Sequence, residues 1–172
     1  PSISRKFIET KDWRLEVFKE WGKGISTTLF LSHRKFNPLL NLPSKDSFPT
    51  NSGESLNSSE IAIKLRFAYL EQFIEGDYFR YSIGTRYPVA ELMISKGIPG
   101  ILNSAYNFTK FNLSVKDKMR ISPLGTLSYK VYAGKVIGAL PFSFLEVHPG
   151  NDLYYFNSNT FNLMTRFEYI SD

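Results

Sequence analysis

The regular alternation of apolar and polar side chains over residues 60–70 constrains the fold of this chain most strongly. Side chains along an extended strand point to opposite faces with a period of two residues. One face of this segment carries Ile61, Ile63, Leu65, Phe67 and Tyr69. The other face carries Glu60, Ala62, Lys64, Arg66 and Ala68. About ten residues is long for a soluble strand, and it is the length that crosses a bilayer at a tilt. The pattern therefore points to a membrane without an apolar helix.

Similar alternation along the rest of the chain predicts about seven or eight strands and no helix. The other segments that alternate are residues 12–21, 25–36, 78–95, 106–118, 127–134 and 160–170. A Gly-Lys-Gly sequence at residues 22–24 separates the first two of these segments. Because glycine tolerates positive φ, this spacing predicts a tight β-hairpin.

Turn-forming residues divide the strands and predict two long loops. Residues 37–59 and 138–159 are rich in Pro, Gly, Ser and Asn, and loops of this length are usual on the outer side of an outer-membrane barrel. Residues 71–77 are interpreted as a short acidic turn. Pro88 interrupts the pattern of residues 78–95, which leaves open whether they form one bent strand or two.

The composition excludes several classes of protein. The chain of 172 residues has 42% hydrophobic and 22% charged residues, which disfavours global disorder. No run of apolar residues is long enough for a transmembrane helix. There is no cysteine, so disulfides, cysteine zinc sites and thiol nucleophiles are absent. The net charge of +5 is spread along the strands, whereas nucleic-acid binding proteins usually concentrate it in a patch.

These features together predict an all-β protein that forms part of an antiparallel transmembrane β-barrel. The aromatic content of 16% is typical of β-structure and also of the aromatic girdles of membrane barrels. A soluble β-barrel or sandwich that binds a ligand stays open as an alternative, because its strands also alternate. In the membrane interpretation, residues 1–172 belong to one barrel domain.

Charged side chains recur on the polar faces of the predicted strands, and we expect them to line the lumen of the barrel. They are Lys64, Arg66, Lys110, Lys116, Lys130, Arg166 and Glu168. The simplest interpretation is a barrel interior that balances its own charge, and the functional one is a polar path or a docking surface for a plug.

A second candidate site is a loop motif in the segment 138–159. It consists of Glu146, His148, Pro149, Gly150 and Asn151, and we expect it to shape a loop over or into the pore. The chain has two histidines, too few for a usual zinc site. We therefore predict no metal and no cofactor. An enzyme embedded in a barrel would need a Ser-His or Asp-His cluster, for which Ser32 with His33 and His148 with Asp152 are the candidates.

Short motifs that follow one another after residue 60 carry a family resemblance. They are Arg86-Tyr87-Pro88-Val89, Lys96-Gly97-Ile98-Pro99-Gly100, Pro123-Leu124-Gly125, Ala133-Gly134-Lys135-Val136-Ile137-Gly138, Leu140-Pro141-Phe142, His148-Pro149-Gly150-Asn151, Phe161-Asn162-Leu163-Met164 and Glu168-Tyr169-Ile170-Ser171-Asp172. Together they resemble an uncharacterised family of Bacteroidetes outer-membrane proteins. That family carries a carboxypeptidase-regulatory-like domain ahead of a C-terminal barrel, which implies that this chain is a fragment of a larger barrel.

The same region is distantly similar to the bacterial surface antigen barrels, which include outer-membrane assembly factors. Gly138, Leu140, Pro141 and Gly150 follow the order of that superfamily. Its long loop carries an Arg-Gly pair, but residues 141–160 contain no arginine. The mechanism of the superfamily is therefore not transferred to this chain.

From these observations we expect a non-enzymatic outer-membrane protein that acts in transport, in outer-membrane assembly or as a component of an envelope complex. Its expected partners are outer-membrane lipids including lipopolysaccharide, and other outer-membrane proteins or lipoproteins. No nucleic acid is expected to bind.

Overall fold

The computed structural model of the protein describes residues 8–38, 56–138, 140, 144–147, 150–151, 161–162 and 170–171. Most of them lie in β-strands, and Ile101–Asn103 forms a short 3-10 turn. The predicted all-β class is therefore confirmed. No helix within these residues is long and apolar enough to cross a bilayer.

Six long strands form the main sheet. They are β1 (Ile8–Gly22), β2 (Ile25–Pro38), β3 (Leu56–Ala68), β6 (Val89–Gly97), β7 (Thr109–Ile121) and β8 (Gly125–Ile137). Their order in the sheet is β1-β2-β3-β6-β7-β8, and every neighbouring pair is antiparallel. In the described part of the chain β1 and β8 do not pair with each other, so the sheet is open rather than closed into a barrel.

The remaining strands are short. A hairpin is formed by β4 (Gln72–Gly76) and β5 (Phe79–Gly84), which lie in the connection between β3 and β6. Near the C-terminus, β9 (Glu146–Val147) pairs antiparallel with β12 (Ile170–Ser171), and β10 (Gly150–Asn151) pairs parallel with β11 (Phe161–Asn162). The strand predicted over residues 160–170 lies mostly outside the described residues.

The β1–β2 hairpin is formed at the predicted position because its turn uses three residues with positive φ. The φ angles of Gly22, Lys23 and Gly24 are 86°, 51° and 79°. A Cβ atom on Gly24 would lie 2.2 Å from the carbonyl oxygen of Ala68. The backbone NH of Ala68 also donates a hydrogen bond to the carbonyl of Gly24, so the turn is tied to the end of β3.

The prediction of a short acidic turn at residues 71–77 is wrong. Residues 72–76 form β4, which turns back at Asp77 and Tyr78 into β5. The open question over residues 78–95 is also resolved, because they form two separate strands, β5 and β6. The apolar alternation was interrupted at Pro88 because the chain leaves a small hairpin there and re-enters the main sheet.

The boundaries of the two predicted loops also change. Strand β2 extends to Pro38 and β3 begins at Leu56, so both ends of the predicted loop 37–59 belong to strands, while residues 39–55 lie outside the described part. Within the predicted loop 138–159, the short strands β9 and β10 are present. Local composition marked these segments as loops, but pairing with distant strands decides where a strand ends.

The main sheet has one apolar face and one polar face, and the apolar face is exposed. Large apolar side chains from neighbouring strands lie on this face, and their exposed fractions run from 38% to 60%. They include Leu15, Leu31, Ile63, Leu65, Phe67, Phe111, Leu113 and Val131. The polar face instead buries small side chains at its centre, among them Thr28, Ala62 and Ser95. This distribution is the reverse of a soluble sandwich, where the apolar face of the sheet is buried.

A compact hydrophobic core lies at one end of the polar face. It consists of Leu56, Tyr106, Phe108 and Phe144, with Phe36 and Leu140 packed against it. A Cβ atom on Gly97 would lie 2.3 Å from the Phe108 ring. Because only glycine leaves space for this ring, the end of β6 and the start of β7 pack closely.

We predict that Gly97→Ala lowers the free energy of unfolding by about 1–3 kcal/mol, because the added methyl group must displace the Phe108 ring. Urea denaturation measures this change. In the double variant Gly97→Ala/Phe108→Leu, the smaller side chain should relieve the clash, so the two effects should be less than additive. Strict additivity would contradict this packing.

Candidate functional site

The polar face of the main sheet brings together five of the residues that the sequence singled out. In the strand register, Lys64 and Arg66 of β3, Lys110 and Lys116 of β7 and Lys130 of β8 all lie on the face opposite Leu65 and Leu113. Whether this face borders a lumen stays a prediction. The ion pairs and hydrogen bonds that these cations form determine the chemistry of the polar face.

Arg66 is held by carboxylates on both sides. Its guanidinium donates to both carboxylate oxygens of Glu71, at 2.6 and 2.7 Å, and its Nε lies 3.4 Å from Glu91. Glu71 also accepts a hydrogen bond from the Ser82 hydroxyl. Lys116 lies 4.0 Å from the same carboxylate of Glu91. The bidentate Arg66–Glu71 pair fixes the geometry as well as the charge.

Glu71 is the most enclosed carboxylate of this network, because its side chain is only 7% exposed. The hydrogen bonds from Arg66 hold the pKa of Glu71 below its ordinary value, and they outweigh burial, which raises it. The Ser82 hydroxyl lowers this pKa further. Glu71 is therefore charged at neutral pH and anchors the connection between β3 and β4 on the polar face.

A second arginine ties the β4–β5 hairpin to the first strand of the sheet. Arg80 on β5 donates to Glu20 of β1 at 2.6 Å and lies 2.8 Å from Glu75 of β4. Its guanidinium also stacks over the Phe73 ring, 3.8 Å from the ring centre. These contacts fix the polar side of the hairpin toward the sheet, while Tyr81 on its other side is exposed.

A cleft of about 230 Å³ separates the hairpin from the sheet. Its lining includes Glu20, Lys23, Arg66, Glu71 and Arg80. The two arginines already share their charge with Glu20 and Glu71, so the cleft is a balanced ionic contact rather than a site prepared for an anion. Its ion pairs hold the β4–β5 hairpin against the main sheet.

The other predicted cations of the polar face have separate partners. The ammonium group of Lys110 donates to the carbonyl of Phe144 at 2.6 Å and lies 4.9 Å from the centre of the Phe108 ring. Lys64 lies 5.6 Å from the centre of the Phe30 ring. Lys130 is exposed. The polar face is thus not one continuous site.

The predicted loop motif is described only in its backbone. Glu146 lies in β9, and Gly150 and Asn151 form β10. His148 and Pro149 lie outside the described residues, as do the lumen candidates Arg166 and Glu168. In the part of the chain that the structure describes, no group of three or more His, Cys, Asp or Glu side chains could hold a metal ion.

The pairing of Ser32 with His33 as an enzyme candidate is wrong. Adjacent residues of a strand point to opposite faces, and Ser32 lies on the polar face while His33 lies on the apolar one. The Nδ1 atom of His33 instead lies 2.9 Å from the hydroxyl of Ser59, which donates its proton to the carbonyl of Ile101. The other enzyme candidate, His148 with Asp152, lies outside the described residues.

Glu20, Glu71 and Arg80 were missed from the sequence. The indication was present in the Gly-Asp-Tyr turn at residues 76–78, which has short apolar segments on both sides. A five-residue strand gives too little alternation to be distinguished from a turn. The ion pairs themselves join residues far apart in the chain, which local patterns do not reveal.

We predict that Glu71→Gln lowers the free energy of unfolding by about 1–3 kcal/mol, because an amide cannot replace the charged bidentate bonds to Arg66. Because the pKa of Glu71 is lowered in the folded state, this stabilisation is complete above its ordinary pKa and is lost as the pH falls through the lowered value. Denaturation curves of the wild type and the variant should therefore converge in acid.

Glu75→Gln is the matched control, because Glu75 is also paired with an arginine but is 66% exposed. Its effect should stay within about 1 kcal/mol. Equal losses for the two substitutions at neutral pH would contradict the role given to Glu71.

The chain matches the model of a known protein family. The model of a family of unknown function, the DUF5686 C-terminal domain, matches residues 25–172, from the first residue of β2 to the end of the chain. Comparisons with curated proteins and with solved structures gave no match. Because the matched part covers most of the chain, the chain belongs to the DUF5686 family and residues 25–172 are its C-terminal domain.

Proposed function

We propose that this domain is part of the wall of an outer-membrane β-barrel, with its apolar face against lipid and its polar face toward an aqueous lumen. The observation that carries the proposal is the exposure of large apolar side chains across neighbouring strands of one face. Exposed apolar surface of this extent marks a contact with a partner or a membrane. Antiparallel strands can meet lipid because their backbone groups bond to each other.

The size of the apolar face supports a membrane rather than a protein partner. Along β3 it extends from Ile61 to Phe67 and continues to Tyr69 just beyond the strand, which is nine residues or about 30 Å at about 3.3 Å a residue. At a tilt of about 45°, this length spans about 21 Å, near the apolar band of about 25 Å on outer-membrane barrels.

Aromatic side chains border this face, as in the girdles of membrane barrels. At the end that carries the β1–β2 turn they are Trp21, Phe67, Tyr69, Tyr87 and Tyr129. Tyr69 contacts both Phe67 and Tyr87, with ring centres 6.4 and 5.1 Å apart. At the opposite end Trp13 is 77% exposed.

Charged side chains also lie on the apolar face. They are Glu9, Lys11 and Lys19 of β1, Lys35 of β2, Lys96 of β6, Asp117 of β7 and Lys135 of β8. The ammonium group of Lys19 lies 4.0 Å from the centre of the Trp21 ring. A lysine can direct its charge toward the interface while its stem lies on apolar surface, and Lys19 is placed to do so.

In this proposal the barrel is larger than the described sheet, because β1 and β8 need partners in lipid. The sequence resemblance to Bacteroidetes outer-membrane proteins and, distantly, to surface antigen barrels supports the same location. The activity is then non-enzymatic, in transport, in membrane assembly or in an envelope complex. The polar face with its ion pairs is the surface that a passing or docking molecule meets.

Single-cysteine variants test this arrangement, since the native chain has no cysteine. In isolated outer membranes, a water-soluble maleimide should label Lys64→Cys and Lys130→Cys faster than their neighbours Leu65→Cys and Val131→Cys, because lipid shields the apolar face. After unfolding in urea, all four variants should react equally.

A soluble ligand-binding module predicts a different result. Leu65 and Val131 are exposed on the sheet, so in water their cysteine variants would react as fast as those on the polar face. Such a result, together with recovery of the protein in the soluble fraction, would contradict the proposal. Slower migration of the boiled than of the unboiled protein on a gel would support it.

A further inference from the structure

A turn at the end of the sheet opposite the β1–β2 turn folds back onto the apolar face. The hydroxyl of Ser59 on β3 donates to the carbonyl of Ile101, and the backbone NH of Ser59 donates to the Ser104 hydroxyl at 3.2 Å. The NH of Ile98 donates to the carbonyl of Ser59 at 2.9 Å. One serine therefore fixes residues 98–104 over the apolar face.

This turn and β1 form the two walls of an apolar groove of about 420 Å³. Trp13 lies on one side, and Ile101 and Leu102 lie on the other. Leu31 and Ile61 belong to the sheet between them. The volume is within the range of about 300–1,000 Å³ that is usual for ligand sites.

The backbone of the turn is strained where it presents an apolar side chain. Leu102 has φ 50° and ψ 42°, and Asn103 has φ 60°. This left-handed region disfavours leucine, because its Cβ atom crowds the following carbonyl oxygen. Nevertheless, the Leu102 side chain is 65% exposed, so burial within the protein does not compensate for the strain. Contact with an apolar ligand in the groove would bury the Leu102 side chain and so compensate for the backbone strain.

The end of the groove that His33 lines is polar, and two lysines lie beyond it. His33 lies in its lining, and because the Ser59 hydroxyl donates to Ile101, the Nδ1 atom of His33 must be the donor to Ser59. Two residues further along the strands, Lys11 and Lys35 are direct cross-strand partners on the same face, and both are exposed. The acidic group that faces them is Glu9, 3.8 Å from Lys11.

We propose that this groove binds one acyl chain of a phosphate-bearing lipid, with the phosphate near Lys11 and Lys35. The inference rests on the proposed function, which places this face in lipid. The groove is continuous with the apolar face through Leu31 and Ile61, and the lysines beyond its polar end lie where headgroups begin. A cation pair next to an apolar groove complements a molecule with an anionic head and an aliphatic tail.

Fluorescence of Trp13 provides the test, in a background where Trp21 and every tryptophan outside residues 1–172 are replaced by phenylalanine, so that Trp13 is the single tryptophan. The full-length protein in neutral detergent is titrated with dioctanoyl phosphatidic acid, with dioctanoyl glycerol, which lacks the phosphate, and with glycerol phosphate, which lacks the chains. We expect phosphatidic acid to bind most tightly, dioctanoyl glycerol more weakly and glycerol phosphate not at all.

Leu102→Asn should weaken the binding of phosphatidic acid about tenfold, a loss of about 1.4 kcal/mol, because an apolar contact is removed. Asparagine tolerates the left-handed backbone, so the variant should fold. Leu124→Asn is the matched control, since Leu124 is 87% exposed at the other end of the sheet, and its affinity should equal that of the parent. Lys11→Gln/Lys35→Gln should weaken binding of phosphatidic acid but not of dioctanoyl glycerol.

Equal affinities for Leu102→Asn and Leu124→Asn, or binding of glycerol phosphate as tight as that of the lipid, would overturn the groove as a lipid site. Maleimide labelling of residues 64 and 65 in the same preparations separates the two proposals. If labelling differs between them but lipid affinity is unchanged by Leu102→Asn, the groove alone is wrong. If labelling is equal, the membrane wall is wrong as well.

Discussion

The alternation of side chains across an antiparallel sheet is the constraint on which this structure depends. Each strand that pairs through its backbone presents two faces, and each face needs its own environment. Groups of the same chain satisfy cations on the polar face, because Arg66 and Arg80 pair with carboxylates and Lys110 donates to a carbonyl. The apolar face is exposed from β1 to β8, and within the described residues only the turn at residues 98–104 covers part of one end of it. In our proposal, hydrocarbon covers the rest.

The two ends of the polar face are covered by different chemistry. At the β1–β2 turn, the β4–β5 hairpin is held by paired ions, which respond to pH and salt. At the opposite end, Phe108, Tyr106 and Phe144 form a dry cluster. The hydroxyl of Tyr106 is enclosed there, and burial raises its pKa. A change of pH or salt should therefore weaken the ionic end while the aromatic end stays in place.

Local patterns were sufficient for the long strands. The alternation of residues 60–70 gave the two faces of β3, and the Gly-Lys-Gly turn gave the β1–β2 hairpin, because both depend on residues close in sequence. They were insufficient for β4 and β5, which are too short to alternate clearly. They also could not show that His33 meets Ser59 rather than Ser32, or that Arg80 meets Glu20, because these contacts depend on the register of the sheet. The sequence alone therefore predicted which cations lie on the polar face, but not the side chains with which they pair.

Quenching by brominated lipids tests most directly whether the apolar face touches hydrocarbon. A single tryptophan would be placed at position 65 or at position 64, with Trp13 and Trp21 replaced by phenylalanine, and the protein folded into vesicles whose acyl chains carry bromine. If the apolar face touches hydrocarbon, the tryptophan at position 65 should be strongly quenched and the tryptophan at position 64 only weakly. Equal quenching at both positions, or none at position 65 in a folded protein, would contradict this contact.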